Sequence, residues 1–227
     1  MVIVGAGPVG SLAALYAAQR GYNVEVYELR PDPRRPGSGS FGTARSMNLT
    51  ISERGMKALR KAEQPDLLQR VIDASIPFEN NLAIDCKDLT CALLDSLDAL
   101  SNIKIFFNHK FVRVNFHGTA LFEDEDWLSH SAEVKFDMML GADGAHSTVR
   151  YNMKVSCRDY QHEYIDLFWC EFNIKPGKAH NDGARGWKIM PNCLHIWPAG
   201  DFTFIAIPNK DGYLPAPSSC QRVSLPR

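Results

Sequence analysis

Three glycines and one acid have the spacing of a phosphate cradle. Met1-Val-Ile-Val leads into Gly5-Ala-Gly7-Pro-Val-Gly10, an apolar run followed by Gly-x-Gly-x-x-Gly. In a strand–turn–helix unit the first glycine turns the chain and the second lets a pyrophosphate reach the backbone. The third lets the helix pack close to the sheet. The helix start presents unpaired N–H groups and a partial positive charge to the phosphates. Glu28 stands 18 residues beyond Gly10. An acid at about that distance accepts both ribose hydroxyls of adenosine and repels a 2′-phosphate. A glycine-rich turn by itself binds nothing in particular. The order strand, glycines, helix, strand is what predicts an adenine-dinucleotide site.

A second turn has related chemistry. Phe136-Asp-Met-Met-Leu140 reads as a buried strand and runs into Gly141-Ala-Asp143-Gly144-Ala-His146-Ser147-Thr148-Val149-Arg150. Gly144 suits a positive φ, and Ser147 or Thr148 can cap the next helix. Such a turn is expected to add a second wall to the same cofactor site. No Ser-His-Asp set is evident. The six cysteines show no Cys-x-x-Cys spacing and the seven histidines no metal-ligand pairing, so no metal site is expected. Glu123 to Asp126 reads as a charged hairpin tip.

The elements that must position these residues follow from periodicity. Leu12, Ala13, Tyr16 and Ala17 fall at helical spacing, Gly21 stops that helix, and Asn23 to Glu28 alternates as a strand. Arg30 to Gly42 carries three prolines and three glycines and reads as an exposed loop, its arginines solvated or facing an anionic ligand. Helices are predicted through Met56, Leu59 and Arg60 after Ser52, from Pro65 through Ile72, and after Asp88 through Leu100. Strands are predicted at Ile103–Phe107 and Phe111–Phe116. Further strands at Tyr164–Ile174, Trp187–Met190, Leu194–Trp197 and Phe202–Ile207 form an antiparallel sheet. The fold class is α/β (α+β): a Rossmann-like βαβ domain with an antiparallel sheet as a second part.

Composition excludes several classes. With 227 residues, 45% hydrophobic and 22% charged, the chain reads as an ordinary soluble globular protein. A net charge of −1 gives no attraction to nucleic acid or a membrane surface. No apolar run is long enough to span a bilayer, no signal peptide precedes the first strand, and reduced intracellular thiols are expected.

Several longer stretches carry a resemblance. They are Arg45-Ser-Met-Asn-Leu49 with Ser52-x-Arg54-Gly55, Phe107-Asn-His109, Gly141 to Arg150, Leu194-His-Ile-Trp-Pro198 and Ile207-Pro-Asn209. With Gly5–Gly10 and Glu28, this combination resembles the kynurenine 3-monooxygenase family of FAD-dependent aromatic hydroxylases. The resemblance runs from residue 1 to about Gly212. It implies resident FAD, NADPH as co-substrate, and hydroxylation of L-kynurenine to 3-hydroxykynurenine with O2. The hard chemistry then belongs to the cofactor and no side chain is expected to be catalytic. Carried over residue by residue, Gly5, Gly7, Val9 and Gly10 hold the pyrophosphate. Tyr27, Glu28, Leu29 and Arg30 surround the adenosine. Thr50, Phe111, Asp143, Gly144 and Thr148 line other parts of FAD, and Arg45 lies near the flavin. Leu194 and Ile196 share a strand face and are candidates for the substrate wall, with the opposite parity as competitor. The domains implied are a discontinuous FAD-binding domain at 1–160 lacking its C-terminal part, part of a substrate sheet at 161–212 and an irregular tail at 213–227. The family's location implies the cytosolic face of the mitochondrial outer membrane.

The chain departs from this family at three places. After Ile76-Pro77-Phe78, Glu79-Asn80-Asn81 passes almost directly to Leu82. That omits the family's arginine and tyrosine for the substrate's amino-acid end. Cys86 stands where the family has an FAD-contacting arginine, and a thiol lacks that charge and fork of donors. After Gly212 the match stops. A truncated or mis-spliced product with uncovered apolar faces is therefore expected. The alternatives are an inactive fragment or another FAD- or NAD-linked oxidoreductase.

Overall fold

A computed structural model describes residues 1–36, 48–78, 80–115, 117–124, 131–154, 163, 167–177, 188–190, 192–200, 202–208, 210 and 214–221. The chain divides into two compact units, 1–45 with 59–67 and 89–161, and 46–58 with 68–88 and 162–227. Residues 46–58 and 68–88 of the 1–160 stretch group with 162–227 in the second unit.

The first unit is built on a parallel sheet. Its strands are β1 (Val2–Val4), β2 (Val24–Tyr27), β6 (Ile103–Phe106) and β10 (Met139–Gly141), in the order β10-β1-β2-β6. Val2, Ile3 and Val4 are all buried, as expected of a β-branched run in a strand covered on both faces. The crossover from β1 to β2 is helix α1 (Pro8–Gln19). Pro8 starts it where a missing N–H costs nothing, and Gly21 at φ 81° closes it. Its buried face is small: Gly10, Ser11, Ala14, Leu15, Ala17 and Ala18. Small residues let the helix lie close on the sheet. Phe136–Leu140 proves less buried than predicted. The strand begins at Met139 and forms the sheet edge, with Leu140 partly exposed.

An antiparallel sheet completes this unit: β7 (His109–Asn115), β8 (Thr119–Asp124) and β9 (Ser131–Lys135), in the order β9-β8-β7. Val2, Val4, Tyr27, Phe111, Ala120, Phe122 and Val149 form one buried cluster joining the two sheets. Glu123 and Asp124 lie on β8, and 125–130 fall outside the described residues.

Arg34 is not a solvated loop arginine. It binds Asp32 at 2.8 Å, Asp95 at 3.1 Å and Asp98 at 2.5 Å, pinning the segment after β2 to helix α4 (Cys86–Asp98). Burial raises the Asp32 carboxyl pKa. The side-chain and backbone hydrogen bonds from Arg34 outweigh this and hold it below the ordinary value. A depressed folded pKa stabilises above the unfolded value and loses that stabilisation as pH falls through the folded one. Asp32→Asn is therefore expected to lower stability at neutral pH and flatten its acid decline below about pH 4. Urea midpoints measured across that range check this.

In the second unit, β3 (Asn48–Ile51), β4 (Ile76–Phe78) and β5 (Asn81–Asp85) form an antiparallel sheet, β3-β5-β4. Phe78 pairs with Asn81, so β4 and β5 are a tight hairpin. Helix α2 (Glu53–Lys61) follows Ser52, whose carbonyl accepts the Met56 N–H. Helix α3 (Leu67–Ala74) starts two residues after Pro65. Helix α4 begins at Cys86, with Asp85 accepting the Lys87 N–H at 2.7 Å. Asp85 is the cap there, and Asp88 lies inside the first turn.

The other sheet of this unit is β11 (Leu167–Ile174), β12 (His195–Ala199), β13 (Phe202–Ala206) and β14 (Leu214–Gln221), in the order β11-β14-β13-β12. The expected antiparallel sheet is present, with two corrections. Residues 188–190 are not strand, and Trp187 lies outside the described residues. The tail expected to be irregular supplies β14, paired with β11 from Leu214↔Ile174 to Gln221↔Leu167. Pro215 and Pro217 misled the reading. Alternation puts both missing N–H groups on one side of the strand. The ladder to β13 covers only Ser218 to Cys220, so one side has no ladder at the prolines. Phe172, Trp197 and Phe202 of this sheet are about half exposed.

Candidate functional site

The loop after β1 is shaped by backbone contacts that only glycine permits. Gly5 has φ 101° and donates its N–H to the Tyr27 carbonyl at 2.8 Å. A Cβ on Gly5 would lie 2.4 Å from the Ala142 oxygen, and one on Gly10 would lie 1.9 Å from the Gly5 oxygen. Gly7 differs. A Cβ there meets nothing within 4 Å, so the protein's own packing does not demand glycine. Gly7 is also the N-cap of α1 and offers no side-chain cap. The first helical N–H groups therefore face an open surface, with Val9 72% exposed beside them. An open, uncapped helix start without a Cβ fits a pyrophosphate.

The second turn adjoins the first. Ala142 donates its N–H to Val4 at 2.7 Å, and the Gly5 contact brings 142–143 against the glycine loop. Asp143 accepts from the Ser147 hydroxyl at 2.5 Å and from the Val149 N–H at 3.1 Å. Ser147 accepts the Arg150 N–H at 3.0 Å. Asp143 and Ser147 thus cap helix α5 (Thr148–Lys154), while Thr148 opens it. Gly144 turns the chain at φ 82°. Asp143→Ala is expected to cost about 1–2 kcal/mol by uncapping this helix. Thermal melting against Asp143→Asn, which retains one acceptor, checks it.

Glu28 directly follows β2, at the end of the strand nearest the glycine loop. Its carboxylate accepts the Ala6 N–H at 2.7 Å and the Arg30 N–H at 3.0 Å. A carboxylate has four acceptor positions, so capacity for ribose hydroxyls remains. Leu29 is 45% exposed, and the Arg30 carbonyl accepts the Asn108 N–H at 3.2 Å.

Two candidate side chains, Tyr27 and Phe111, are buried in the core cluster. Tyr27 is 4% exposed and stacks on Phe106 at 4.8 Å and on Phe122 at 4.0 Å. Its hydroxyl donates to Glu25 at 3.0 Å, and burial, with Glu25 adding to it, pushes its pKa well up. Phe111 is 5% exposed and meets Phe122 edge-on. Both are core residues: Tyr27, ending β2, stacks on Phe122 of β8, and the β7–β8 pairing sets Phe111 against the same ring.

Thr50 lies in the second unit on β3, exposed and opposite Ala83. Leu194 precedes β12 and Ile196 lies on it, 42% and 53% exposed. On the opposite parity His195 stacks on Trp197 at 5.6 Å, and Trp197 meets Phe204 at 5.6 Å. Arg45 lies outside the described residues. The sequence reading missed Ser11, fully buried, whose hydroxyl donates to the Ala6 carbonyl at 3.0 Å. A lone polar residue on an otherwise apolar helix face was the available signal.

A family model described as an FAD binding domain matches residues 1–181. The chain belongs to that family. FAD is its cofactor class, and the glycine loop is the part of the fold that suits FAD's pyrophosphate. The resemblance drawn from the motifs also holds among curated proteins. Kynurenine 3-monooxygenase of Neurospora crassa is 46% identical over 246 residues, covering 93% of this chain and 48% of that protein. The Aspergillus fumigatus enzyme of the same name is 44% identical over 247 residues, covering 93% and 47%. The chain spans about half the length of the curated relatives it matches. The alignment with the Neurospora protein is longer than this whole 227-residue chain, so that relative carries internal residues the chain lacks. Among solved structures, the flavin-dependent monooxygenase PieE with FAD and substrate aligns with TM-score 0.74 at 15% identity, covering 100% of this chain and 43% of that one. CtdE in complex with FAD aligns at 0.70 and 14%, covering 100% and 60%. These likenesses show the fold.

Among the described residues no group of three or more His, Cys, Asp or Glu is placed to hold a metal, and no helix is long and apolar enough to cross a membrane.

Proposed function

We propose that this chain is the FAD-holding half of a monooxygenase that hydroxylates L-kynurenine at the ring 3-position with NADPH and O2. The observation that carries the reading is the uncapped Gly7 helix start, packed against the 142–143 turn with Glu28 alongside. FAD, when bound, takes electrons from NADPH and activates O2 so that one oxygen atom reaches the aromatic ring. The chain's own residues bind and orient. N–H groups at the start of α1 hold the pyrophosphate, and Glu28 accepts ribose hydroxyls. Leu29 and Arg30 flank the adenosine. The 142–148 turn walls the site, with Asp143 and Gly144 setting its path. Thr50 and Arg45 serve the flavin end. Leu194 and Ile196 form an apolar wall that orients the ring and excludes water. The cytosolic face of the mitochondrial outer membrane is the location that goes with this activity.

The tight hairpin of β4 and β5 favours a second reading. It leaves no room for the family's substrate-binding arginine and tyrosine, so the chain binds FAD without turning over kynurenine. Titration of the 227-residue chain with FAD, then NADPH oxidation with and without L-kynurenine, separates the two. Bound flavin with kynurenine-stimulated oxidation supports the first. Bound flavin without stimulation supports the second. A chain that takes up no FAD sinks both.

A further inference from the structure

Ala6, the residue between the first two glycines, is gripped from both sides. Its N–H donates to Glu28 Oε2 at 2.7 Å, and its carbonyl accepts the Ser11 hydroxyl at 3.0 Å. Each gripping residue is itself anchored. Glu28 donates its N–H to the Phe106 carbonyl at 2.8 Å and accepts the His109 N–H at 2.9 Å, and its second carboxylate oxygen takes the Arg30 N–H at 3.0 Å. The N–H, the carbonyl and both carboxylate oxygens of Glu28 thus each hold backbone from β1–α1, β6, β7 or its own turn, and each carboxylate oxygen keeps a second acceptor position. Ser11 is fully buried in α1, and its N–H donates to the Gly7 carbonyl at 2.9 Å. The flanking glycines are held through backbone alone, Gly5 by its N–H on the Tyr27 carbonyl and Gly7 by its carbonyl on the Ser11 N–H. Gly5 takes a left-handed turn and Gly7 brings no side chain to its cap position. Glycine loses more conformational entropy on ordering than any other residue, so this loop needs restraint from its neighbours.

We infer that Glu28 and Ser11 are positioning residues that hold the Ala6 peptide, and so hold the phosphate cradle in its binding shape before any ligand arrives. Glu28 then serves the pyrophosphate as well as the ribose, although its charge repels phosphate. The inference rests on reading this loop as a pyrophosphate cradle. It adds that the cradle's shape depends on a carboxylate and a hydroxyl that touch no phosphate.

The charge makes the test decisive. Inorganic pyrophosphate has no ribose. If Glu28 only reads ribose, Glu28→Gln removes a repelling charge and pyrophosphate binds as well or better. If Glu28 holds the loop, a glutamine amide facing two N–H donors can accept only one of them, and pyrophosphate binds more weakly despite the lost repulsion. Calorimetric titration of the full chain with pyrophosphate is expected to show about 10- to 100-fold weaker binding for Glu28→Gln and about 3- to 10-fold for Ser11→Ala, the range of one lost hydrogen bond to a charged or neutral acceptor. Hydrogen exchange at the Ala6 and Gly7 amides is expected to accelerate in both variants while strands β1 and β2 keep wild-type protection. Unchanged or tighter pyrophosphate binding in either variant overturns the inference. If Glu28→Gln does not fold, Ser11→Ala alone decides. If the wild-type chain binds neither pyrophosphate nor FAD, the cradle reading itself falls and the inference with it. If it binds both and the variants match it, only the inference falls.

Discussion

Gly10→Ala is expected to destabilise the first unit by about 3 kcal/mol and to abolish FAD binding. The added Cβ would sit 1.9 Å from the Gly5 carbonyl oxygen, far inside contact distance. That oxygen belongs to backbone, so no side-chain rotation relieves the clash. Gly5 cannot retreat either, because its N–H is bonded to Tyr27 and its own Cα side abuts Ala142. The helix must lift from the sheet, and overpacking that shifts backbone costs about 1–3 kcal/mol or more. Gly7→Ala is the matched contrast. Its Cβ enters open space, so folding is expected to stay near wild type while FAD affinity drops. Urea midpoints with flavin titration on the two variants check the pair. Equal loss of stability in both would show that the open space at Gly7 does not exist in solution.

Phe122→Ala is the second large effect. Phe122 is fully buried, stacked on Tyr27 at 4.0 Å between ring centres and met edge-on by Phe111 at 5.6 Å. Truncating such a ring removes its transfer free energy and leaves a cavity, together about 3–5 kcal/mol. Loss of the ring–ring geometry is part of that cost. This is a large fraction of a domain's typical stability of about 5–15 kcal/mol. The cavity would lie where the parallel sheet meets β7 and β8, so Tyr27 loses its stacking wall. Phe122→Leu, which keeps most of the volume, is expected to cost about 1–1.5 kcal/mol. Urea unfolding with Tyr27 near-ultraviolet dichroism reads both stability and ring packing. An Ala variant within 1 kcal/mol of wild type would contradict the stacked core.

Residues at the adenosine end show why parts of the site were legible and others not. Glu28 was found because strand alternation and glycine spacing are both local patterns. Tyr27 and Phe111 were placed beside the ligand, and the structure turns both rings into the core. Which way a strand residue faces depends on the register of a partner strand far away in the chain, here the pairing of Phe111 with Phe122. Asp143 was read as a cofactor residue from its motif. Its immediate partners are Ser147 and Val149, so its visible work is capping α5. Arg34 was read as a solvated arginine because Asp95 and Asp98, its partners on α4, are more than sixty residues away.

What the sequence by itself determined is the βαβ start, the presence and order of the first four helices, the antiparallel character of the later strands and the FAD-binding family. Each rests on patterns within a few residues, where glycine, proline and alternation act directly on the backbone. The tertiary structure alone decided that the two glycine turns adjoin, that Ala6 is gripped by Glu28 and Ser11, and that Leu214–Gln221 joins a sheet despite two prolines. Those outcomes depend on which distant backbone groups meet. Hydrogen-bond partners and buried faces are chosen by packing of the whole unit, which no short window of residues contains.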